Sequence, residues 1–533
     1  MFKVYRLTKI SALVASALAL SACGGGGGGS DATNNPNSGV APDTTWTAGT
    51  YSSASTFKNY CETPRTGTDP YNNNQPYPDK LGAAAHEKMW LRSWTNETYL
   101  WYDEVPDNNP ANFTVSEFFK QLKTTQLTDS GAAKDQFHFA QNTADYKKET
   151  QAGVVSGYGI EWSAIARSAP RDFKVAFTEP NSPAANAGIE RGFKLTYVNG
   201  VDFINDNTQA GVNTINAALF PSGTGETHQF TFLNRANQTV TVNLTSADLE
   251  SSPVQNIKIL DSAQGKVGYV QFNAHIAKAQ DGLISAVKQF SDANVSDLVV
   301  DLRYNGGGLL ALASQFAYMV AGDNATASRT FEQTVFNDKT TPSAPTPFYS
   351  KQIDYSASVL TNTNLPSLSL NRVFVLTTSQ TCSASEAFIN GLQGIDVEVI
   401  QIGGQTCGKP YGFYPTDNCS TTYFSIQFSG VNAKGFGDYA DGFKPSLAPQ
   451  YDDQIKGCDL SDDFSKVLGD PSERLLNGAL TYINTGSCPV NKTQMRSAPK
   501  PSYTHNKEDV FDIRYQSFLL ENKINAQPIK QEQ

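Results

Sequence analysis

The 533-residue chain is poor in histidine, with five in all, and modest in charge, with 17% Asp, Glu, Lys and Arg against 39% apolar residues. His86, His138, His228, His275 and His505 all lie outside the three motifs described below, so a reaction on this chain has no evident imidazole base. Acidic residues outnumber basic ones 51 to 41, and the basic ones form no long run, which argues against nucleic acid as a partner. The apolar run near the start, Ile10 to Leu20, is too short to span a bilayer. No pattern of metal ligands or of an organic cofactor site is indicated.

Lys3, Arg6 and Lys9 stand ahead of that run, the layout of a signal peptide over residues 1–22. Removing these three cations takes the net charge from −10 to −13. The run ends Leu20-Ser-Ala-Cys23, which resembles a bacterial lipobox; Cys23 is then the expected point of lipid attachment, and the expected location is the cell envelope, periplasmic or outer-membrane anchored. Six glycines and a polar Ser/Asp/Asn/Pro tract follow, suited to a flexible tether over 23–56. The other cysteines, Cys61, Cys382, Cys407, Cys419, Cys458 and Cys488, form an even set, which in an exported chain suggests disulfides. Cys407 with Cys419, flanking an expected hairpin, is the first pairing suggested, and Cys458 with Cys488 the second. Cys382 and Cys407, beside the two catalytic candidates below, are a further pair to consider.

The length favours two to four domains. In residues 57–152, Trp90, Trp94 and Trp101 recur at helical spacing and Phe118, Phe119 and Leu122 mark a shorter helix, which reads as a small helical domain with no chemistry. Residues 153–250 change character. Gly157-Tyr158-Gly159-Ile160 opens onto a strand, Phe173 to Phe177 alternates, Ser182-Pro183 caps a turn closed by Gly188, and Lys194 to Val198 ends in the hairpin pair Asn199-Gly200. That order is similar to PDZ domains, which accept an extended peptide as an extra strand and hold its terminal carboxylate on backbone N–H groups. The resemblance makes Gly157, Tyr158, Gly159 and Ile160 the expected cradle.

From about residue 251 strands alternate with helices, the sign of an α/β layer. One strand, Leu298 to Asp301, runs through Arg303 and Asn305 into Gly306-Gly307-Gly308. A second, Val373 to Leu376, leads into Ser383 and Ser385 at the head of a helix, and a third, Val397 to Ile402, leads to Thr406-Cys407-Gly408-Lys409. Ser383 with Glu386 also fits a capping box, in which the serine only closes a helix end. Beyond these motifs, Thr326 to Leu370 reads as a polar insertion bordering the site, and Asp470-Pro-Ser-Glu473 reads as a capped helix start.

Asp301-Leu-Arg-Tyr-Asn-Gly-Gly-Gly, Ser383-Ala-Ser-Glu386 and Thr406-Cys-Gly-Lys409, in that order and spacing, resemble the C-terminal processing peptidases, or tail-specific proteases. The resemblance implies a crotonase-like ββα catalytic core over 251–490 carrying the PDZ-like β domain and the N-terminal helical domain, with 491–533 as a tail. It implies Ser383 as nucleophile, Ser385 being the alternative, Lys409 as general base, and the N–H groups of Gly307 and Ala384 as the oxyanion hole. Gly442-Phe-Lys-Pro445 resembles the family segment near the substrate cleft. The expected substrates are exported or unfolded proteins with free C-termini. This chain departs from the family in Cys382, where alanine is usual, and in Phe413, where many relatives have the glutamine that follows the lysine by four. That second departure keeps open a peptide-binding scaffold without proteolysis.

Overall fold

A computed structural model of the protein describes residues 41–128, 130–152, 154–489 and 530–531. The expected signal peptide, the lipid site Cys23 and most of the 491–533 tail lie outside the described residues. No helix among the described residues is long and apolar enough to cross a membrane.

The N-terminal region is organised by aromatic side chains. Helix α1 (Ala84–Thr98) turns Trp90 and Trp94 inward, stacked at 5.1 Å, and Trp90 meets Tyr423 at 5.4 Å. Helix α2 (Val115–Gln121) starts at a capping box between Thr114 and Glu117 and buries Phe118 and Phe119. Trp101, expected on the first helix, stands beyond its end and meets Tyr411 edge-on at 4.8 Å. The region is joined to the rest by a strand, Phe139–Asn142, paired with Thr421–Phe424.

The expected PDZ-like β domain comprises β1 (Ile160–Ala166), β2 (Asp172–Thr178), β3 (Lys194–Val198), β4 (Thr227–Leu233) and β5 (Thr239–Thr245), ordered β5-β4-β3-β2-β1. Its helix α3 (Gln209–Leu219) is capped by Thr208, whose hydroxyl accepts the Gly211 N–H. Phe173, Val175, Leu195, Phe230, Phe232 and Ile215 fill its core. Ser182 caps the turn Pro183–Asn186 as its Ser-Pro pattern predicts. The chain enters and leaves along the antiparallel pair Val154–Gly157 and Ala247–Glu250, and β1 lies at the edge of its sheet.

The second half is built on seven strands: β6 (Val254–Ser262), β7 (Gly265–Phe272), β8 (Asp297–Asp301), β9 (Arg372–Thr377), β10 (Glu398–Gly403), β11 (Lys444–Ser446) and β12 (Gln454–Asp459). They are ordered β6-β7-β8-β9-β10-β12-β11, and every neighbouring pair except β6 with β7 is parallel. Helices α4 (Ala279–Asp292), α5 (Leu310–Thr326) and α6 (Ala384–Gly394) pack on one face with Val300, Val373, Val375 and Val399. Helix α7 (Arg474–Thr485) covers the other face over Val299, Phe374, Leu376 and Ile402. With both faces covered, β9 is apolar at successive positions, and each such side chain contributes about 1.5–3 kcal/mol on burial.

This connectivity departs from the expected ββα core. Only β6, β7 and α4 form a ββα unit, whereas β9 passes through α6 to its parallel neighbour β10, and β8 passes through α5 and the Thr326–Leu370 segment before reaching its parallel neighbour β9. The Thr326–Leu370 insertion contributes the strand Thr330–Phe336 to a second sheet, where Phe428–Val431 joins it to Tyr411–Gly412 beside Lys409. Helix α7 is capped by Glu473 rather than Asp470: the Glu473 carboxylate accepts the N–H groups of Leu475 and Leu476, because Arg303 draws it into the core.

Among the described residues three disulfides form: Cys61–Cys419, Cys382–Cys407 and Cys458–Cys488. The last is as expected. Cys407 does not pair with Cys419, because Cys407 follows β10, whose neighbour β9 leads to Cys382, while Cys419 sits at the tip of a hairpin facing the N-terminal region. Such bonds are typical of proteins exported to an oxidising compartment.

Candidate active site

The three motifs are far apart in sequence but follow the C-terminal ends of three adjacent parallel strands, β8, β9 and β10, where open α/β sheets place their ligands. Backbone hydrogen bonds stitch the loops together: Leu302 N–H to Leu376 O, Cys382 N–H to Asn305 O, and Cys407 N–H to Thr381 O, each at 3.0 Å. The Gly442–Phe443 segment closes over the third loop, with Phe443 N–H donating to Thr406 Oγ1 at 2.8 Å.

Ser383 precedes α6 with φ 65° and ψ −112°, a left-handed conformation that costs a non-glycine residue about 1–3 kcal/mol and persists only when its surroundings enforce it. Only half of the capping box forms. The Glu386 carboxylate accepts the Ser383 N–H at 2.8 Å, while the buried Ser383 Oγ has no hydrogen-bond partner. The hydroxyl of Ser385 is committed, donating to Asn305 O at 3.1 Å. Ser385→Ala is therefore expected to keep peptide hydrolysis within a few-fold of the parent and to lower stability by about 1–2 kcal/mol, read from paired activity and denaturation curves.

Glu386 is the residue that sequence reasoning undervalued as a helix cap. Its Oε2 accepts both the Ser383 N–H (2.8 Å) and the Lys409 N–H (2.9 Å), and its Oε1 accepts the Gly408 N–H (2.8 Å) and the Thr406 hydroxyl (2.6 Å). One carboxylate thus gathers the backbones of both catalytic candidates. Burial raises the Glu386 carboxyl above its ordinary value, opposed by those four hydrogen bonds. The Cys382–Cys407 disulfide, with Cα atoms 5.1 Å apart, ties the same two loops beside it.

Lys409 is fully buried. Its Nζ lies over the ring of Phe413 at 4.4 Å and over the ring of Phe137 at 4.5 Å. Phe137 belongs to the N-terminal region in which no chemistry was expected. Only its place in the fold brings it here, and no spacing in the sequence signals it.

Gly307 (φ 112°) lies against the turn that carries Ser383: a Cβ there would stand 2.8 Å from Ser383 Cβ and 3.0 Å from Ala384 N. Gly307→Ala is expected to lower kcat by at least roughly a hundredfold, checked by steady-state kinetics, because the loop must move off Ser383. Ala384 opens α6, so its N–H lies outside the helix ladder. The Gly307 N–H is donated to Asn305 Oδ1 at 3.0 Å. The same oxygen lies 3.0 Å from His275 Nδ1, so Asn305 and His275, absent from the expected site, brace the glycine loop.

Residues 266–416, from β7 past Lys409, match the model of peptidase family S41. A carboxyl-terminal-processing protease of Picosynechococcus is 27% identical over 345 residues, 63% of this chain and 76% of that relative. The chain is a serine-type peptidase, similar over residues 266–416 to family S41. A solved S41 protease from Bacteroides fragilis, 23% identical, aligns with 74% of this chain and 96% of its own at a TM-score of 0.56. The photosystem II D1 C-terminal processing protease aligns with 75% of this chain and 97% of its own, 18% identical at a TM-score of 0.44. The family match and the Bacteroides fragilis structure correct the crotonase-like ββα expectation: the fold is that of the S41 tail-specific proteases with a PDZ-like insertion.

The four cradle residues belong to a different sheet from the three strands that carry the motif loops, at the start of the edge strand β1. Gly157 ends the entry strand, Tyr158 is buried, and the carbonyls of Tyr158 and Gly159 are taken by the N–H groups of Ala184 and Glu179. Gly159 (φ 74°) has no room for a side chain, since a Cβ would meet Ser182 at 2.2 Å. A cavity of about 230 Å³ lies between Ser163 and Ile165 of β1 and Thr378 and Gln380 of the loop that leads to Ser383.

Proposed function

We propose that the protein is an exported endopeptidase that acylates Ser383 with Lys409 as general base and cuts exported or unfolded proteins near their C-termini. The observation that carries this reading is the single Glu386 oxygen that receives the backbone N–H groups of both residues. A serine hydroxyl needs a base as it attacks, and the only cationic side chain of the three loops besides Arg303 is Lys409. Arg303 stays protonated in carboxylate pairs and is excluded as a base.

In the proposed sequence Ser383 Oγ attacks the scissile carbonyl carbon as its proton passes to the neutral Lys409 Nζ. The oxyanion is held by the Ala384 N–H and by the Gly307 N–H, which shares its proton with Asn305 Oδ1. The C–N bond then breaks, the Lys409 ammonium protonates the leaving amine, and water releases the acyl group by the same steps in reverse order. Lysine ordinarily ionises near pH 10.4, about 3 units too high for this work, and complete burial favours the uncharged amine.

The PDZ-like region 153–250 captures the substrate, with residues 157–160 receiving its terminal carboxylate and β1 pairing with its backbone. The cavity beside β1 supports passage from that edge toward Ser383. We assign residues 57–152 and 251–490 to the helical region and the peptidase core, and Cys23 to lipid attachment at the cell envelope. The scaffold alternative draws on Phe413. Digestion of casein and of a tailed peptide by the parent, Ser383→Ala and Lys409→Ala separates the two: cleavage by the parent alone supports the peptidase, and cleavage by none supports the scaffold.

A further inference from the structure

Lys409 carries its amine on a flexible four-carbon stem, so a reactive geometry needs something to hold it. The position four residues on holds Phe413, whose ring supplies a π face and no hydrogen-bonding atom. We propose that Phe137 and Phe413 are the positioning residues of Lys409, holding its Nζ over two ring faces at 4.5 and 4.4 Å. This rests on the reading of Lys409 as the general base.

The rings are themselves fixed. Phe413 is fully buried, edge-on to Phe139 at 6.1 Å and to Phe424 at 5.3 Å. Phe137 is 5% exposed, and its N–H is donated to Asp135 Oδ1 at 2.9 Å. The other oxygen of Asp135 accepts the Tyr99 hydroxyl at 2.7 Å. One ring comes from the strand region after Lys409 and the other from the N-terminal region, so the amine's orientation depends on the docking of two distant segments.

The chemistry fits what the base must do. Nζ is uncharged when Ser383 attacks and cationic until the leaving amine takes the proton. Burial favours the first state, while an aromatic face is attractive to the ammonium and nearly indifferent to the amine. The rings thus stabilise the transient cation where it forms and keep its stem from turning away.

The test is the pH dependence of kcat/KM on a tailed peptide, with the full chain and with Phe137→Leu, Phe413→Leu and Phe137→Tyr. Leucine keeps the apolar bulk and removes the π face, so the ammonium loses support. The acid limb is then expected to move to lower pH by about half to one unit, and the plateau kcat to fall roughly tenfold with KM within about twofold. Phe137→Tyr, which keeps the face, is expected to retain the parent's limb. A limb unmoved in the folded leucine variants, with only the thermal midpoint lowered, overturns the proposal and leaves the rings as packing. Because the two rings sit on different segments, either variant decides if the other does not fold. Hydrolysis by Ser383→Ala, or a limb that survives Lys409→Ala, instead overturns the dyad on which the proposal rests.

Discussion

Ser383→Ala is expected to abolish peptide hydrolysis, lowering kcat by roughly ten-thousand-fold or more, with the thermal midpoint nearly unchanged. The separation of the two effects follows from the structure. Ser383 Oγ has no hydrogen-bond partner, so deleting it breaks no bond and leaves no buried group stranded. The Cβ that packs on Gly307 is kept, as are the N–H bond to Glu386 and the carbonyl that accepts the Ala387 N–H. Alanine meets the φ of 65° at a cost similar to serine's. A variant that still cleaves a tailed peptide within tenfold of the parent removes Ser383 from the mechanism.

Arg303→Ala is expected to cost about 3–5 kcal/mol of stability, the largest effect of any single substitution considered. Arg303 donates to Asp301 at 2.9 Å, to Asp462 at 2.7 Å and to Glu473 at 2.9 Å, and only 1% of its side chain is exposed. Its removal leaves buried carboxylates without their cation, which costs far more than the pairs themselves contribute. Asp462 is held further by Arg191 of the PDZ-like region at 2.7 Å and by the Tyr304 hydroxyl, so the loss spreads to that contact. Denaturant midpoints of parent and variant check the magnitude.

The same network sets a sign for pH. Burial alone would raise the Asp462 carboxyl, but Arg191 and Arg303 beside it hold it below its ordinary value. Its contribution to stability is therefore present above the ordinary carboxylate range and is lost as pH falls through the lowered folded value. Arg303→Ala removes one of the two cations, so this part of the acid dependence weakens in the variant.

The three candidate loops were legible because each combines residue types that local structure alone rarely demands: a buried-type strand into three glycines, a serine at a helix start, a lysine after the next strand. Parallel pairing of β8, β9 and β10 then brings their ends together, a step the strand pattern implies. The helix of Trp90 and Trp94 was readable from its period, whereas the same period wrongly extended it to Trp101, since the chain leaves the helix after Thr98 to reach Tyr411. Glu386 looked like an ordinary cap, because its second role depends on the Gly408 and Lys409 N–H groups arriving from another strand. Cys382 and Cys407 stood beside the catalytic candidates, yet hairpin proximity favoured Cys419, and only the adjacency of β9 and β10 resolves the pairing. Phe137 carried no signal at all: an aromatic residue in an aromatic-rich segment reads as core until Lys409 is seen over its ring.

The most direct measurement is covalent trapping. The full chain is treated with a fluorophosphonate and the modified peptide is mapped by mass spectrometry, in the parent and in Lys409→Ala. A single adduct on Ser383, formed at least roughly a hundredfold more slowly without Lys409, is the expected result. An adduct on Ser385, or labelling of Ser383 at the same rate with and without the lysine, contradicts the account.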